Sequence, residues 1–214
     1  MIMTAFINPP PKIPLMMRPG IWLAKKITGK DLDVSKILSW YPKTAIGSAV
    51  LESLVAHKDK TISKRMLKLV RMQASFAVSC PFCIDMNSAE YEKSNITPEE
   101  LVAIQDSNLI SEVKTFSKRE TLALEYARLI SKSPLSFPGS FIEELKQNFT
   151  EREIVILAGT ATQVNYWARL IQALGFRLPD FQIKAPMMTQ MKIIRIDPTM
   201  DRIFRDNTQH LLTL

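Results

Sequence analysis

The sequence predicts an all-α protein, and three observations carry that prediction. The 214 residues hold only six glycines, few for a sheet protein with many tight turns. Between Thr97 and Glu153 the S/T-x-x-E pattern of a capping box occurs four times, as Thr97–Glu100, Ser117–Glu120, Ser140–Glu143 and Thr150–Glu153. In such a box the hydroxyl accepts the amide of the third helical residue and the glutamate returns the bond, so each box marks a helix start. Behind the boxes, apolar residues recur every three or four positions, the period of a helix with one buried face.

Taken in order, the first forty residues are punctuated by proline and admit a short helix at "IWLAKKIT". They are read as most of an N-terminal arm, 1–43, lying over the core or over a neighbouring copy. The domain proper spans 44–178. Its first helix is expected over 44–56 and its second over 63–79, where Met66, Leu69, Val70, Gln73, Ala74 and Ala77 keep the rhythm and Ser63 offers a cap. Thr97 then caps a helix with Pro98 in its first position, where the missing N–H costs nothing. The helix after Ser117 carries Leu122, Leu124, Tyr126, Ala127, Leu129 and Ile130. The helix after Thr150 runs over 151–174 with Ile154, Leu157, Ala158, Ala161, Val164, Trp167, Ala168 and Ile171 at helical spacing. Gly175 is its left-handed stop, and its length suits a central packing element. Residues 179–214, rich in methionine near 187–191 and broken by proline, read as a C-terminal arm whose methionines suit contact with a partner or a pocket.

Composition narrows the function classes. A 46% hydrophobic content is enough to bury a sizeable core. No run of about 18 apolar residues occurs, so no spanning helix is expected. The N-terminus lacks the pattern of a secretion signal, and a cytoplasmic location follows as the expectation. The net charge of +7 is uneven: residues 1–72 hold 13 Lys/Arg against 4 Asp/Glu. These cations are scattered and belong to no nucleic-acid-binding motif, so a solvated basic face or a subunit contact is expected and specific nucleic-acid binding is not.

Chemistry is concentrated in "SCPFCIDMNSAEY", which holds the two cysteines of the chain, Cys80 and Cys83. So short a loop removes little chain entropy, which makes reactivity a better reason for the pair than stapling. Pro81 forbids a helix interior but fits a first turn. Cys80 would then be N-cap and Cys83 the third residue of a helix, both at the positive end of its dipole, where a thiolate is stabilised. The spacing lets one sulfur attack an oxidant and the other close a disulfide. An inert pair of buried small hydrophobes is the plainer alternative. A zinc site would need two more ligands, and the two histidines, His57 and His210, are neither paired nor close in sequence. His57 ends a predicted helix and is better read as a partner of its last carbonyls than as catalytic. "VNYWARL", with Tyr166, Trp167 and Arg169, reads as core and interface packing.

"VRMQASFAVSCPFCIDMNSAEYEKSNIT" resembles the central motif of the carboxymuconolactone decarboxylase-like superfamily, in particular its alkylhydroperoxidase D branch. "FSKRETLALEYARLI" and "FTEREIVILAGTATQVNYWARLIQALG" are similar to later segments of that family, so the resemblance spans about residues 44–176. It implies a compact fold of antiparallel helices, protomers that associate as dimers, trimers or hexamers, and no cofactor or metal. It also implies reduction of hydroperoxides: Cys83 attacks, Cys80 resolves, and a thiol reductant restores the pair. The family's proton relay is a glutamate twelve residues before the first cysteine and a histidine four after the second; here those positions are Lys68 and Asn87. Asn87 can orient a group but cannot exchange protons near neutral pH. Lys68 would lower a thiol pKa by charge if it reaches the sulfurs. Asp85 could accept a proton, or serve as a first-turn partner of the helix dipole. The sequence thus predicts a thiol-dependent oxidoreductase with peroxidase activity weakened by the missing relay. The alternatives are a redox-sensing or interaction module that is not catalytic, and a structural relic of the same fold.

Overall fold

The computed structural model describes residues 5–29, 31–54 and 59–176. His57, His210, the methionines at 187–191 and the whole C-terminal arm lie outside the described residues. Within them every regular element is helical: α1 (Arg18–Thr28), α2 (Asp33–Ile37), α3 (Pro42–Glu52), α4 (Lys64–Ala77), α5 (Pro81–Ser88), α6 (Pro98–Gln105), α7 (Lys118–Ile130), α8 (Gly139–Asn148) and α9 (Glu151–Ala173). The all-α expectation holds.

Local chemistry sets most of the helix starts. Ser63 caps α4 by accepting the Met66 amide at 3.0 Å. The boxes at Thr97, Ser117 and Thr150 close in both directions at α6, α7 and α9. The fourth does not. Pro138, extended at φ −59° and ψ 136°, is the N-cap of α8 and makes no side-chain cap bond, so Ser140 falls inside the helix. The proline ring fixes an extended entry and the helix begins on the next residue, before the serine can act. Proline also moves α3 forward: Pro42 takes its first position, two residues ahead of the expected start, and the helix stops at Glu52.

α4 and α9 share the centre. α4 packs against α5, α6, α7 and α9, while α9 also meets α5, α7 and α8. Leu69, Val70, Met72 and Ala74 of α4 have no exposed surface, which is why this helix lacks a solvent face along most of its length. Val70 and Ala74 share one core cluster with Leu122, Ala123 and Ala127 of α7 and Leu157, Ala161, Val164 and Ala168 of α9. The N-terminal residues are tied in at the end of α9: the Phe6 amide donates to Leu174 O at 2.9 Å. Gly175, at φ 70°, leaves the space that the Phe6 ring occupies, and a Cβ there would stand 2.4 Å from it.

The box glutamates carry a second load that the sequence does not announce. Glu100, Glu120 and Glu153 are buried. Arg65 of α4 donates from Nη2 to Glu100 Oε1 and from Nε to Glu120 Oε1, each at 2.7 Å, and also to the Asn95 carbonyl. Arg119 of α7 reaches Glu153 of α9 at 2.7 Å with its guanidinium 4.5 Å over the Phe149 ring. Removing one partner of such a buried network strands the others without water. Arg65→Ala is therefore expected to cost about 3 kcal/mol or more in urea denaturation. Lys146→Ala, which breaks the exposed 3.6 Å pair with Glu143, should cost at most about 0.5 kcal/mol.

Candidate functional site

The end of α4 builds the site. Val78 closes the helix and Ser79 turns left-handed at φ 49°. The Ser79 amide donates to Phe76 O at 3.0 Å and the Cys80 amide reaches back to Ser75 O at 3.3 Å. These are the two bonds of a Schellman motif, with serine in the place that glycine usually takes. A side chain in that conformation costs about 1 kcal/mol, which the two bonds and the following helix offset. Cys80 is therefore the second residue beyond the α4 C-cap Val78 and, at φ −95° and ψ 104°, the N-cap of α5, with Pro81 in its first turn. The cap and the third-residue positions expected for the two cysteines are those observed.

The cysteines are free and their sulfurs lie 2.6 Å apart. Cys80 is 0% and Cys83 3% exposed. Cys80 Sγ accepts the Cys83 amide at 3.3 Å. This setting holds the Cys80 thiol below its ordinary pKa: the main cause is the Cys83 thiol bonded to it, burial works the other way, and the Cys83 and Phe82 amides and the Gln172 side chain help. Cys83 is pushed up by the same shared bond, by burial and by the charge on Cys80. The contact between the two sulfurs thus draws the two thiols apart, Cys80 down and Cys83 up.

The other residues singled out from the sequence are arranged around α5. Asn87, one turn beyond Cys83, donates from Nδ2 to Ser75 Oγ at 2.9 Å, and Ser75 Oγ donates to Arg71 O at 2.8 Å. Ser75 therefore joins Asn87 to the carbonyl that holds the Cys80 amide. Lys68 points to the far end of the helix, donating to Ala89 O at 2.7 Å. Asp85 is half-buried and is the fifth residue of α5, so it lies beyond the first turn and is no first-turn dipole partner. Of the aromatic segment on α9, Tyr166 bonds Ser48 through its hydroxyl at 2.8 Å. Arg169 reaches Ser133 Oγ at 2.9 Å. Trp167 donates from Nε1 to Glu52 Oε2 at 2.7 Å, and Gln163 donates to the same oxygen at 2.9 Å. Ser75, Gln172, Glu52 and Arg71 were not visible as site residues in the sequence; the helical spacing of Lys68, Arg71 and Ser75 was the available signal.

Burial lowers the Lys68 ammonium to a pKa of about 8, with repulsion from Arg71 adding to the effect and Glu90 opposing it. The charged form is therefore disfavoured by folding. Between about pH 8 and the ordinary lysine value the unfolded chain binds the extra proton, so stability from this residue rises with pH across that window and is lowest below it. Lys68→Met should remove this component, stabilising the protein at pH 7 by on the order of 1 kcal/mol, since partial solvation discounts the full shift. Urea denaturation at pH 7 and pH 10 measures the difference.

No known family's sequence model matches the chain. Two curated relatives do: the uncharacterized protein YdfG of Bacillus subtilis, 25% identical over 146 residues, covering 67% of this chain and 97% of the relative, and the uncharacterized protein YnjA of Escherichia coli, 25% identical over 168 residues, covering 78% and 91%. Among solved structures, the debrominase Bmp8 superposes with a TM-score of 0.71 at 17% identity, covering 88% of this chain and 97% of that one. An alkylhydroperoxidase AhpD core, a peroxidase-related protein from Ralstonia eutropha, does so with a TM-score of 0.67 at 17% identity, covering 83% and 93%. The helices, their order and the cysteine pair at the start of α5 together give this chain the alkylhydroperoxidase D-like fold.

Proposed function

We propose that the chain is a thiol-dependent oxidoreductase that reduces organic hydroperoxides through the Cys80–Cys83 dithiol. The observation that carries this reading is the pair of free thiols in contact at the start of α5, and the lowered pKa of Cys80 supports it as the attacking sulfur. The Cys80 thiolate attacks the outer oxygen of the hydroperoxide, the O–O bond breaks, and the leaving alkoxide takes a proton to depart as the alcohol. Cys80 is left as a sulfenic acid. The Cys83 sulfur then attacks Cys80, water leaves, and the disulfide forms; a thiol reductant returns two electrons and two protons. Asn87 orients groups beside the pair and transfers no proton, so turnover is slower than with a residue that does.

Self-association and a cytoplasmic setting belong to the same reading. Leu15, Met16, Trp22, Leu23, Trp40 and Val50 are exposed, each by half or more, which supports contact with further copies of the chain. The free cysteines suit a reducing compartment, and no helix among the described residues is long and apolar enough to cross a membrane. A second reading is favoured by the likeness to Bmp8, a debrominase whose structure is also known in complex with 2,3,4-tribromopyrrole. A dithiol can supply the two electrons that replace an aryl bromide with hydrogen, giving the disulfide and hydrogen bromide.

Stopped-flow measurement with cumene hydroperoxide and excess dithiothreitol tests the first reading, and bromide release from tribromopyrrole tests the second. Cys80→Ser should lose at least about 10²-fold in rate, whereas Cys83→Ser should give a single turnover and a dimedone-trapped sulfenic acid on Cys80. Unchanged turnover in both variants sinks the dithiol reading. Asn87→His should raise kcat by about 10², the scale of a positioned acid–base group, and the gain should follow a new ionisation in the pH profile.

A further inference from the structure

We propose that Ser75 is a positioning residue for the dithiol: through its carbonyl and its hydroxyl it holds α5 on α4 at two points, and so keeps Cys83 within reach of Cys80. The inference rests on the reading of Cys80 and Cys83 as a redox pair and names what sets the ease with which that pair closes.

Ser75 is fully buried on α4, and both its carbonyl and its hydroxyl reach across the cysteine turn. The carbonyl accepts the Cys80 amide at 3.3 Å. The hydroxyl gives its one hydrogen to Arg71 O at 2.8 Å, so toward α5 it can only accept. It accepts from Asn87 Nδ2 at 2.9 Å. The commitment of that hydrogen thus fixes which end of the Asn87 amide faces α4. The same arrangement recurs away from the cysteines, where Ser131 Oγ donates to Ala127 O at 2.8 Å and accepts from Asn165 Nδ2 at 2.9 Å. Neither of those residues belongs to α4 or α5, which makes that pair a matched control.

Cys83 lies between the two points of attachment, three residues after Cys80 and four before Asn87. Residues four apart share a helix face, so the bond that turns Asn87 toward α4 turns Cys83 the same way. Held by the Cys80 amide alone, so short a helix could roll about that one contact. A second contact, ~10 Å further along the axis, removes this freedom. Lys68 also reaches the end of α5, at Ala89 O, but through a long flexible stem that restrains the helix weakly. Cys83 Sγ therefore stays beside Cys80 Sγ, 2.6 Å away. A disulfide closes most readily when its sulfurs are already held together, because the entropy of bringing them together was lost on folding. The Ser75–Asn87 bond raises the effective concentration of one thiol at the other, and with it the tendency of the pair to oxidise.

Equilibration of the full-length protein with glutathione and glutathione disulfide, followed by acid quench, alkylation and mass spectrometry, gives the equilibrium constant for closing the pair without any peroxide. Glutathione disulfide takes two electrons and two protons from the dithiol and leaves as two glutathiones. Ser75→Ala and Asn87→Ala should each lower the constant about fivefold, the scale of one hydrogen bond, and the double variant should fall no further than the larger single one. Ser75→Thr, which keeps the hydroxyl, and Ser131→Ala, which removes the matched pair, should both stay within about twofold of wild type. A constant unchanged in Ser75→Ala and Asn87→Ala, an additive double variant, or an equal fall in Ser131→Ala overturns the proposal. Should Ser75→Ala lose its helical circular dichroism, Asn87→Ala against Ser131→Ala decides: equal constants overturn it. The expected fall, found in a protein without hydroperoxide turnover, would retain the positioning role and remove the peroxidase reading. Turnover of cumene hydroperoxide by wild type with no such fall in the variants would do the reverse.

Discussion

Arg65 sits where three helix starts meet, and the placement of α4 depends on it. Its partners, Glu100 and Glu120, already accept or return capping bonds at α6 and α7. One arginine thus fastens two helix N-termini to the first turn of a third. Two carboxylates against one guanidinium would leave an excess negative charge in a buried place. The positive ends of the α6 and α7 dipoles face that excess and temper it. The same solution recurs where Arg119 meets the capping glutamate of α9. Helices so fastened at their starts have fixed ends, and the end of α4 is where the cysteine turn is made.

The chemistry follows from that fixed end. The Cys80 amide serves α4 and its sulfur serves α5, so neither helix can shift without moving the sulfur. Burial alone would raise both thiols; the asymmetry comes from the donors, since Cys80 gathers two amides, the Gln172 side chain and its neighbour's proton. The strained Ser79 lies directly before this sulfur, consistent with local strain being tolerated where surrounding structure over-determines it.

Much of this was legible in the sequence, for reasons of range. A capping box acts within four residues, so Thr97, Ser117 and Thr150 could be read without knowing the fold, as could Pro81 and its consequence for the cysteines. Ser140 misled because Pro138, two residues earlier, had already set the helix start. Ser79 was silent because glycine is the usual sign of a left-handed C-terminal turn and serine carries no such sign. The burial of Glu100 and Glu120 was hidden because the capping pattern fully accounts for a glutamate there, leaving nothing to suggest a partner 35 or 55 residues away. The donors around Cys80 were hidden too, because they include Gln172, which lies 92 residues away on α9.

The double duty of Cys80 links redox state to folding. In the reduced protein its sulfur accepts the Cys83 amide in the first turn of α5, and the more readily the further its thiol is ionised; a disulfide sulfur is neutral and a poorer acceptor. Oxidation thus weakens a helix cap, and the fold favours the dithiol over the disulfide by whatever that cap contributes. A protein that stabilises its own reduced form is a stronger oxidant toward other thiols, as thermodynamic linkage requires. Its disulfide would then be readily discharged by a mild reductant, a poise set by one N-cap residue.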